Sequence, residues 1–218
     1  PSFALERAQE VVFALKRLEM NGAIPALPVF VDSPLTANIT EIFRYHKESF
    51  DKETQQVQAT GGDPFELDRI EYVRNTDDSM RLNTIKEPCI IISASGMCEF
   101  GRILHHLRNN CEDERNTIAI VGFQAKNTLG RRIVERQPEI KIFGVKRQLK
   151  AEVVKFNGFS AHAGRSELIR FGERCKGARQ RVLLVHGEDI ALDALRSGLA
   201  ERDVQNIVVM DEKFTVEV

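Results

Sequence analysis

Short apolar runs alternate with stretches of helical period along most of this 218-residue chain. That alternation restricts its fold more than any other feature. Leu27 to Val31, Cys89 to Ile92, Ile118 to Phe123, Arg181 to Val185 and Ile207 to Met210 are too short for buried helices. They are also too continuously apolar for strands with one wet face. A strand buried on both faces needs cover on both, which crossover helices supply in a parallel sheet. The chain is therefore expected to be α/β, a mostly parallel sheet flanked by helices.

The helical stretches carry their own punctuation. Ala8, Val11, Val12, Leu15 and Leu18 recur at helical spacing between Leu5 and Met20, and Asn21-Gly22 is a stop. Asp32-Ser33-Pro34 turns the chain, with Ser33 as N-cap and Pro34 at the first helical position. That helix is expected to reach about Lys47 and to turn Ile39, Ile42 and Phe43 inward. Residues 51–63 are polar, contain Gly61-Gly62 and show no apolar period, which reads as a surface excursion. A short helix is expected over Ser79 to Asn83, and further helices begin at G-R-I-L-H-H-L and T-L-G-R-R-I-V-E. Near Pro138 the rhythm changes. Ile140 to Phe143 and Ala151 to Phe156 read as a hairpin or paired strands separated by the charged V-K-R-Q-L-K. Helices over Arg165 to Arg174 and Ile190 to Leu199 complete the chain.

Composition excludes several classes of function. A formal net charge of -1 argues against a polybasic surface, so any nucleic-acid contact must run through a local groove. Cys89, Cys98, Cys111 and Cys175 lack metal-type spacing and read as reduced thiols of a cytoplasmic protein. No stretch suits a membrane span, so no membrane role is expected. The chain opens P-S-F-A without an initiator methionine, the way an excised fragment begins.

His162 and His186 stand where strands give way to helices, in N-G-F-S-A-H-A-G-R and R-V-L-L-V-H-G-E-D. Open α/β folds place their chemistry there. Gly158, Ser160, Ala161, Ala163 and Gly164 surround His162 with small residues that let a large substrate approach. His186 ends a buried strand, a position from which a sheet presents a metal ligand. Each could equally be a hydrogen-bonded structural histidine. The chain contains no H-x-H-x-D-H, H-E-x-x-H or C-x-x-C, so no local motif completes a metal shell. S-A-S-G-M, Ser93 to Met97, offers hydroxyls and backbone N–H groups suited to phosphate oxygens, although small residues also serve tight turns. His105 and His106 are adjacent and cannot both face one site from a helix. Lys126, Arg131 and Arg132 read as soluble surface.

Taken in order, P-S-F-A-L-E-R-A-Q-E, V-F-V-D-S-P-L-T, S-A-S-G-M, V-G-F-Q-A-K-N-T-L-G-R, G-F-S-A-H-A-G and L-V-H-G-E resemble the β-CASP subgroup of the metallo-β-lactamase superfamily, zinc-dependent nucleases of bacterial and archaeal type. The resemblance covers nearly the whole chain. It implies a Rossmann-like β-CASP domain over residues 1–137. Residues 138–218 would be the returning C-terminal part of a metallo-β-lactamase αββα fold. It also implies that His162 is the motif B histidine assisting protonation at the scissile phosphate, that His186 is the motif C zinc ligand, and that Ser95 and Gly96 meet RNA phosphate. Histidine at motif C favours RNA over DNA.

The family's H-x-H-x-D-H and other upstream ligands have no counterpart in this sequence. The resemblance therefore implies a missing N-terminal metallo-β-lactamase half and two zinc ions in the intact protein. This chain alone is expected to hold no zinc and hydrolyse nothing, and its uncovered face would allow a homodimer. The competing readings are a non-enzymatic scaffold that binds RNA or a partner, and a nucleotide-binding α/β protein. The latter lacks G-x-G-x-x-G and a P-loop.

Overall fold

In a computed structural model, which describes residues 1–159, 162–174 and 181–210, the apolar run before Ser33 becomes strand β1, Val29–Asp32, buried along its whole length. It lies at the centre of a parallel sheet between β2, Ile70–Val73, and β3, Ile90–Ser93, with Val31 opposite both Tyr72 and Ile92. Alternation along β1 explains why it is apolar throughout. Val29 and Val31 join Ala8 and Val12 of helix α1, Arg7–Met20, together with Phe65 and Leu67. Phe30 faces the other way, against Val73 and Leu82. Both faces are covered, as a parallel sheet requires.

Helix α2, Pro34–Tyr45, starts as its sequence dictates: the Ser33 hydroxyl accepts from the Thr36 amide at 3.2 Å and Pro34 occupies the first turn. Its inward face differs from the expected one. Thr36, Ala37 and Thr40 are buried, whereas Ile42 is 57% exposed. The reason is a buried polar tie. Thr40 Oγ1 donates to the Thr36 carbonyl and accepts from Gln9 Nε2 of α1 at 2.9 Å, so small hydroxyl residues form the seam. Phe43 still contributes, edge-on to Phe65 at 5.8 Å.

The expected excursion over 51–63 is largely a helix, α3, Lys52–Gly61. It buries only Val57, so it leaves no apolar period to read; Asp51 caps it at the Thr54 amide, and Lys, Glu, Gln and Ala favour helix. Strand β2 also went unread, because its residues are mostly half-buried. Helix α4, Thr76–Arg81, runs into a short 3₁₀ turn where a helix was expected.

Helix α5, Ile103–Asn110, precedes β4, Thr117–Ile120, and helix α6, Leu129–Val134, follows it. Strand β5, Glu139–Ile142, then pairs antiparallel with β6, Val145–Gln148, through Phe143-Gly144, both at positive φ as a two-residue hairpin turn needs. This corrects the expected pairing of 140–143 with 151–156. The charged segment is itself a strand, tolerated because its side chains are mostly exposed. Strand β7, Glu152–Lys155, instead pairs parallel with β4, Ala119 opposite Val154. Ile120, Ile133, Ile140 and Ile142 pack as one core with Leu107 and Val153.

The chain divides into compact units of residues 1–160 and 161–218. In the second, α7, Arg165–Arg174, precedes β8, Val182–Leu184; α8, Asp189–Ala200, crosses to β9, Ile207–Val209, which pairs parallel with β8. Ile169, Leu184, Leu192 and Leu199 form its core. Ser160, Ala161 and Cys175 lie outside the described residues. No helix among the described residues is long and apolar enough to cross a membrane.

Candidate functional site

The carboxyl ends of β1, β2 and β3 carry a buried polar network that sequence reading did not identify. Asp32, the last residue of β1, is fully buried. Its Oδ2 accepts from Ser79 Oγ at 2.6 Å and lies 2.6 Å from His106 Nε2, while its Oδ1 accepts from Arg102 Nη1 at 2.8 Å. Arg102 also donates to the Val73 and Arg74 carbonyls at the end of β2. The Ser93 hydroxyl donates to the Asp32 carbonyl at 2.9 Å, so one aspartate region joins three strand ends and two helices. Burial alone would raise the Asp32 carboxyl. The hydrogen bonds from His106, Ser79 and Arg102 outweigh it and hold the group below its ordinary value.

His106 is thus the packing member of the histidine pair; His105 is exposed and its ring lies 4.8 Å from that of Phe143. A signal for the network was present in the sequence. Arg102 and His106 are four apart, on one helix face, and an acid ends a buried strand.

S-A-S-G-M follows directly from Ser93. Ser95 is nearly buried, and its Oγ accepts from the Glu99 amide at 3.1 Å and the Phe100 amide at 3.4 Å. That use leaves its O–H as the one donor for a further acceptor. Gly96 is required by packing: a Cβ there would stand 2.9 Å from the Phe3 ring. Its carbonyl accepts from Gln124 Nε2 at 2.8 Å, the Gly130 amide donates to the Met97 carbonyl, and Glu99 accepts from the Leu129 amide. The loop after β3 is therefore knitted to the V-G-F-Q-A-K-N-T-L-G loop after β4.

Gly101 closes the first loop at φ +87°, where an added Cβ would stand 2.5 Å from the Ala94 carbonyl oxygen. Because that neighbour is backbone, Gly101→Ala should cost roughly 1–3 kcal/mol. The urea midpoint followed by tyrosine fluorescence checks this, and an unchanged midpoint would refute it.

His162 and His186 belong to the second unit, and Ser95 and Gly96 to the first. His162 is exposed and precedes α7, whose start is capped by Glu167 accepting from the Gly164 amide at 2.7 Å. His186 is exposed just past β8, with φ +61°. Seven other non-glycine residues among those described share a positive φ, and histidine is one of the types that adopt it more readily. Gly187 follows because a Cβ there would stand 3.1 Å from Leu192 in the core. Among the described residues, no three His, Cys, Asp or Glu side chains are grouped to hold a metal ion. A zinc ion therefore has no complete site within them.

Comparison with known proteins gives two family matches in sequence order: the Beta-Casp domain over residues 8–133 and the Zn-dependent metallo-hydrolase RNA specificity domain over residues 146–210. A protein named ribonuclease TTHA0252, from Thermus thermophilus, is 37% identical over 202 residues, covering 93% of this chain and 46% of its own length. Transcription termination factor FttA of Methanosarcina mazei is 30% identical over 210 residues, 93% of this chain and 32% of its own length. An RNase J-like protein of Methanocaldococcus jannaschii is 30% identical over 188 residues, 86% of this chain and 42% of its own length. The chain spans about half the length of the first of these curated relatives and less of the other two. With the Beta-Casp match alone covering more than half of its residues, and the mostly parallel sheets and knitted loops that carry the matched motifs, this chain belongs to the β-CASP family of metallo-hydrolases.

Proposed function

We propose that this chain is the β-CASP domain and the following RNA specificity segment of a zinc-dependent ribonuclease. The observation that carries the reading is His186. It is an exposed imidazole held in a left-handed backbone at the carboxyl end of a parallel strand, inside the segment matched by the RNA specificity domain. That position suits a zinc ligand whose companions come from outside the described residues. Zinc in such hydrolases activates water and offsets charge on the phosphoryl oxygens.

His162, also exposed and ahead of α7, would donate a proton to the leaving oxygen. The Ser95 hydroxyl and the Gly96 loop would meet phosphate from the first unit. A change of domain near residue 138 is supported by the gap between the two family matches, 8–133 and 146–210; the compact units part later, after residue 160, and β7 pairs with β4. Cys89, Cys98 and Cys111 are free thiols, which fits a reducing, cytoplasmic setting.

The test compares this chain with a longer protein that contains it. The longer protein is expected to hold two zinc ions by elemental analysis and to cleave single-stranded RNA. The 218-residue chain is expected to hold no stoichiometric zinc and to cleave nothing. Zinc together with cleavage in the chain alone would refute the divided site. RNA binding by the longer protein without zinc or cleavage would favour a scaffold.

A further inference from the structure

Gln124, in the loop after β4, is only 4% exposed and reaches across to the loop after β3. Its Nε2 donates to the Gly96 carbonyl at 2.8 Å and to the Gly122 carbonyl at 3.3 Å. Both neighbours are acceptors, which fixes the amide with Nε2 toward them. Its Oε1 is buried and accepts no hydrogen bond among the described residues. An orphaned buried oxygen is unfavourable, so whatever Gln124 contributes comes through Nε2. Gly130 clears the space for this amide, since a Cβ there would stand 1.7 Å from Oε1.

What Nε2 holds is the plane of one peptide. Gly96 has no side chain to restrict that plane, so without a clamp its carbonyl would turn freely. The Gly96–Met97 peptide is trans, and in a planar trans peptide the carbonyl and the next N–H point in opposite directions. Holding the Gly96 carbonyl toward Gln124 therefore directs the Met97 N–H away from it. The rest of the turn leaves that N–H apart. The Ser95 amide donates to the Phe100 carbonyl, the Cys98 amide to the Ser95 carbonyl at 3.2 Å, and the Glu99 and Phe100 amides to Ser95 Oγ. Met97 is half-buried, and its amide donates to no group among the described residues. Ser95 and Met97 belong to one four-residue turn, whose ends are less than about 7 Å apart.

We propose that Gln124 is a positioning residue for phosphate: by holding the Gly96 carbonyl, it presents the Met97 amide beside the Ser95 hydroxyl as a second donor. The proposal rests on the ribonuclease reading above, which puts phosphate at this loop, and adds a backbone donor and the side chain that orients it. Gln124 itself touches no substrate; it acts through one peptide plane.

Isotope labelling of methionine nitrogen gives four amide signals by NMR, from Met20, Met80, Met97 and Met210, and Met97→Leu identifies that of Met97. The probe is sulfate, a phosphate surrogate whose charge is the same in mildly acidic and mildly alkaline solution, against chloride at equal ionic strength. In the parent chain sulfate is expected to move the Met97 amide proton downfield saturably and the other three little. Gln124→Met keeps the length and removes the donor, and should raise the sulfate concentration needed at least about tenfold, as loss of a hydrogen bond to a charged group implies. Gln124→Glu separates positioning from packing. Its carboxylic acid can donate to the Gly96 carbonyl and its carboxylate cannot, so the Met97 response should be recovered in mild acid and lost in mild alkali, where the parent responds alike in both. That comparison is made within one protein and decides the matter even where Gln124→Met does not fold. In the longer protein, Gln124→Met should raise KM for RNA about tenfold while kcat falls less than about twofold, the pattern of lost uniform binding. An equal Met97 response in the parent and Gln124→Met, or none in the parent, would overturn the proposal, while cleavage by the longer protein would leave the ribonuclease reading intact. Methionine signals that all move alike, or a loss of kcat at unchanged KM, would overturn it in favour of a purely structural Gln124. Failure of the longer protein to bind or cleave RNA would overturn both readings.

Discussion

Asp32→Ala is expected to destabilise the first unit by roughly 3–5 kcal/mol, on the order of 10 °C in its melting midpoint. The size follows from what the substitution leaves behind. Arg102, with its side chain 21% exposed, and His106, 6% exposed, would lose the carboxylate that answers them, and Ser79 would lose its acceptor. Breaking a buried ion pair from one side costs more than the pair contributes, because the partner charge stays desolvated. Asp32→Asn keeps the volume and one acceptor, so it should cost less. Both tyrosines, Tyr45 and Tyr72, lie in the first unit, so their fluorescence in urea follows that unit alone. A loss below about 1 kcal/mol for Asp32→Ala would show that solvent compensates the network.

The same carboxylate gives stability a pH dependence of definite sign. Its folded pKa is depressed, so the folded state binds its proton less readily than the unfolded chain does. The contribution is fully present above the unfolded value of about 3.9 and is lost as pH falls through the lower folded value. Acid unfolding of the parent should therefore steepen below about pH 4, and Asp32→Asn should flatten that limb. The network also explains why loss of Asp32 would reach the proposed RNA surface. Ser93 binds the Asp32 carbonyl and begins the S-A-S-G-M loop, so the strand end and the loop share one support.

The sequence made the α/β alternation readable because burial on both faces leaves continuous apolar runs, and β1, β3 and β4 all appeared that way. Ser33 and Pro34 marked the start of α2 for an equally local reason. What stayed hidden was non-local. Helix α3 buries a single valine, so its period carries no signal. The partner of β7 is β4, more than thirty residues earlier, and nothing within 138–156 records that choice. Asp32 looked like a turn residue because its three side-chain partners come from α4 and from the Arg102-to-His106 stretch opening α5. Of the candidate site, Ser95 and Gly96 could be located from small-residue content, but not the roles that packing gives them. The Ser95 hydroxyl braces its own turn, and Gly96 makes room for Phe3. His186 was conspicuous as the end of an apolar run; histidine tolerates its left-handed backbone better than most types, but nothing in the run required that conformation.

His162→Ala in the longer protein is expected to lower turnover by about 10²–10⁴-fold, the usual contribution of a positioned proton donor, while zinc content stays near that of the parent. If His186 is a zinc ligand, as proposed, His186→Ala is expected to lower turnover and zinc content together. The distinction can be sharpened through the leaving group. A ribose oxygen must be protonated as it departs, whereas a nitrophenolate departs readily as the anion. The His162→Ala defect should therefore be far smaller on a nitrophenyl phosphodiester than on RNA, and the His186→Ala defect should be similar on both. Equal His162→Ala losses on the two substrates, with zinc retained, would move His162 from proton transfer to substrate positioning. Loss of zinc in His162→Ala would instead make it part of the metal-binding set. His162 and His186 are both exposed on the second unit, so neither substitution should disturb its core of Ile169, Leu184, Leu192 and Leu199. An unchanged unfolding midpoint would then assign the kinetic differences to chemistry rather than to folding.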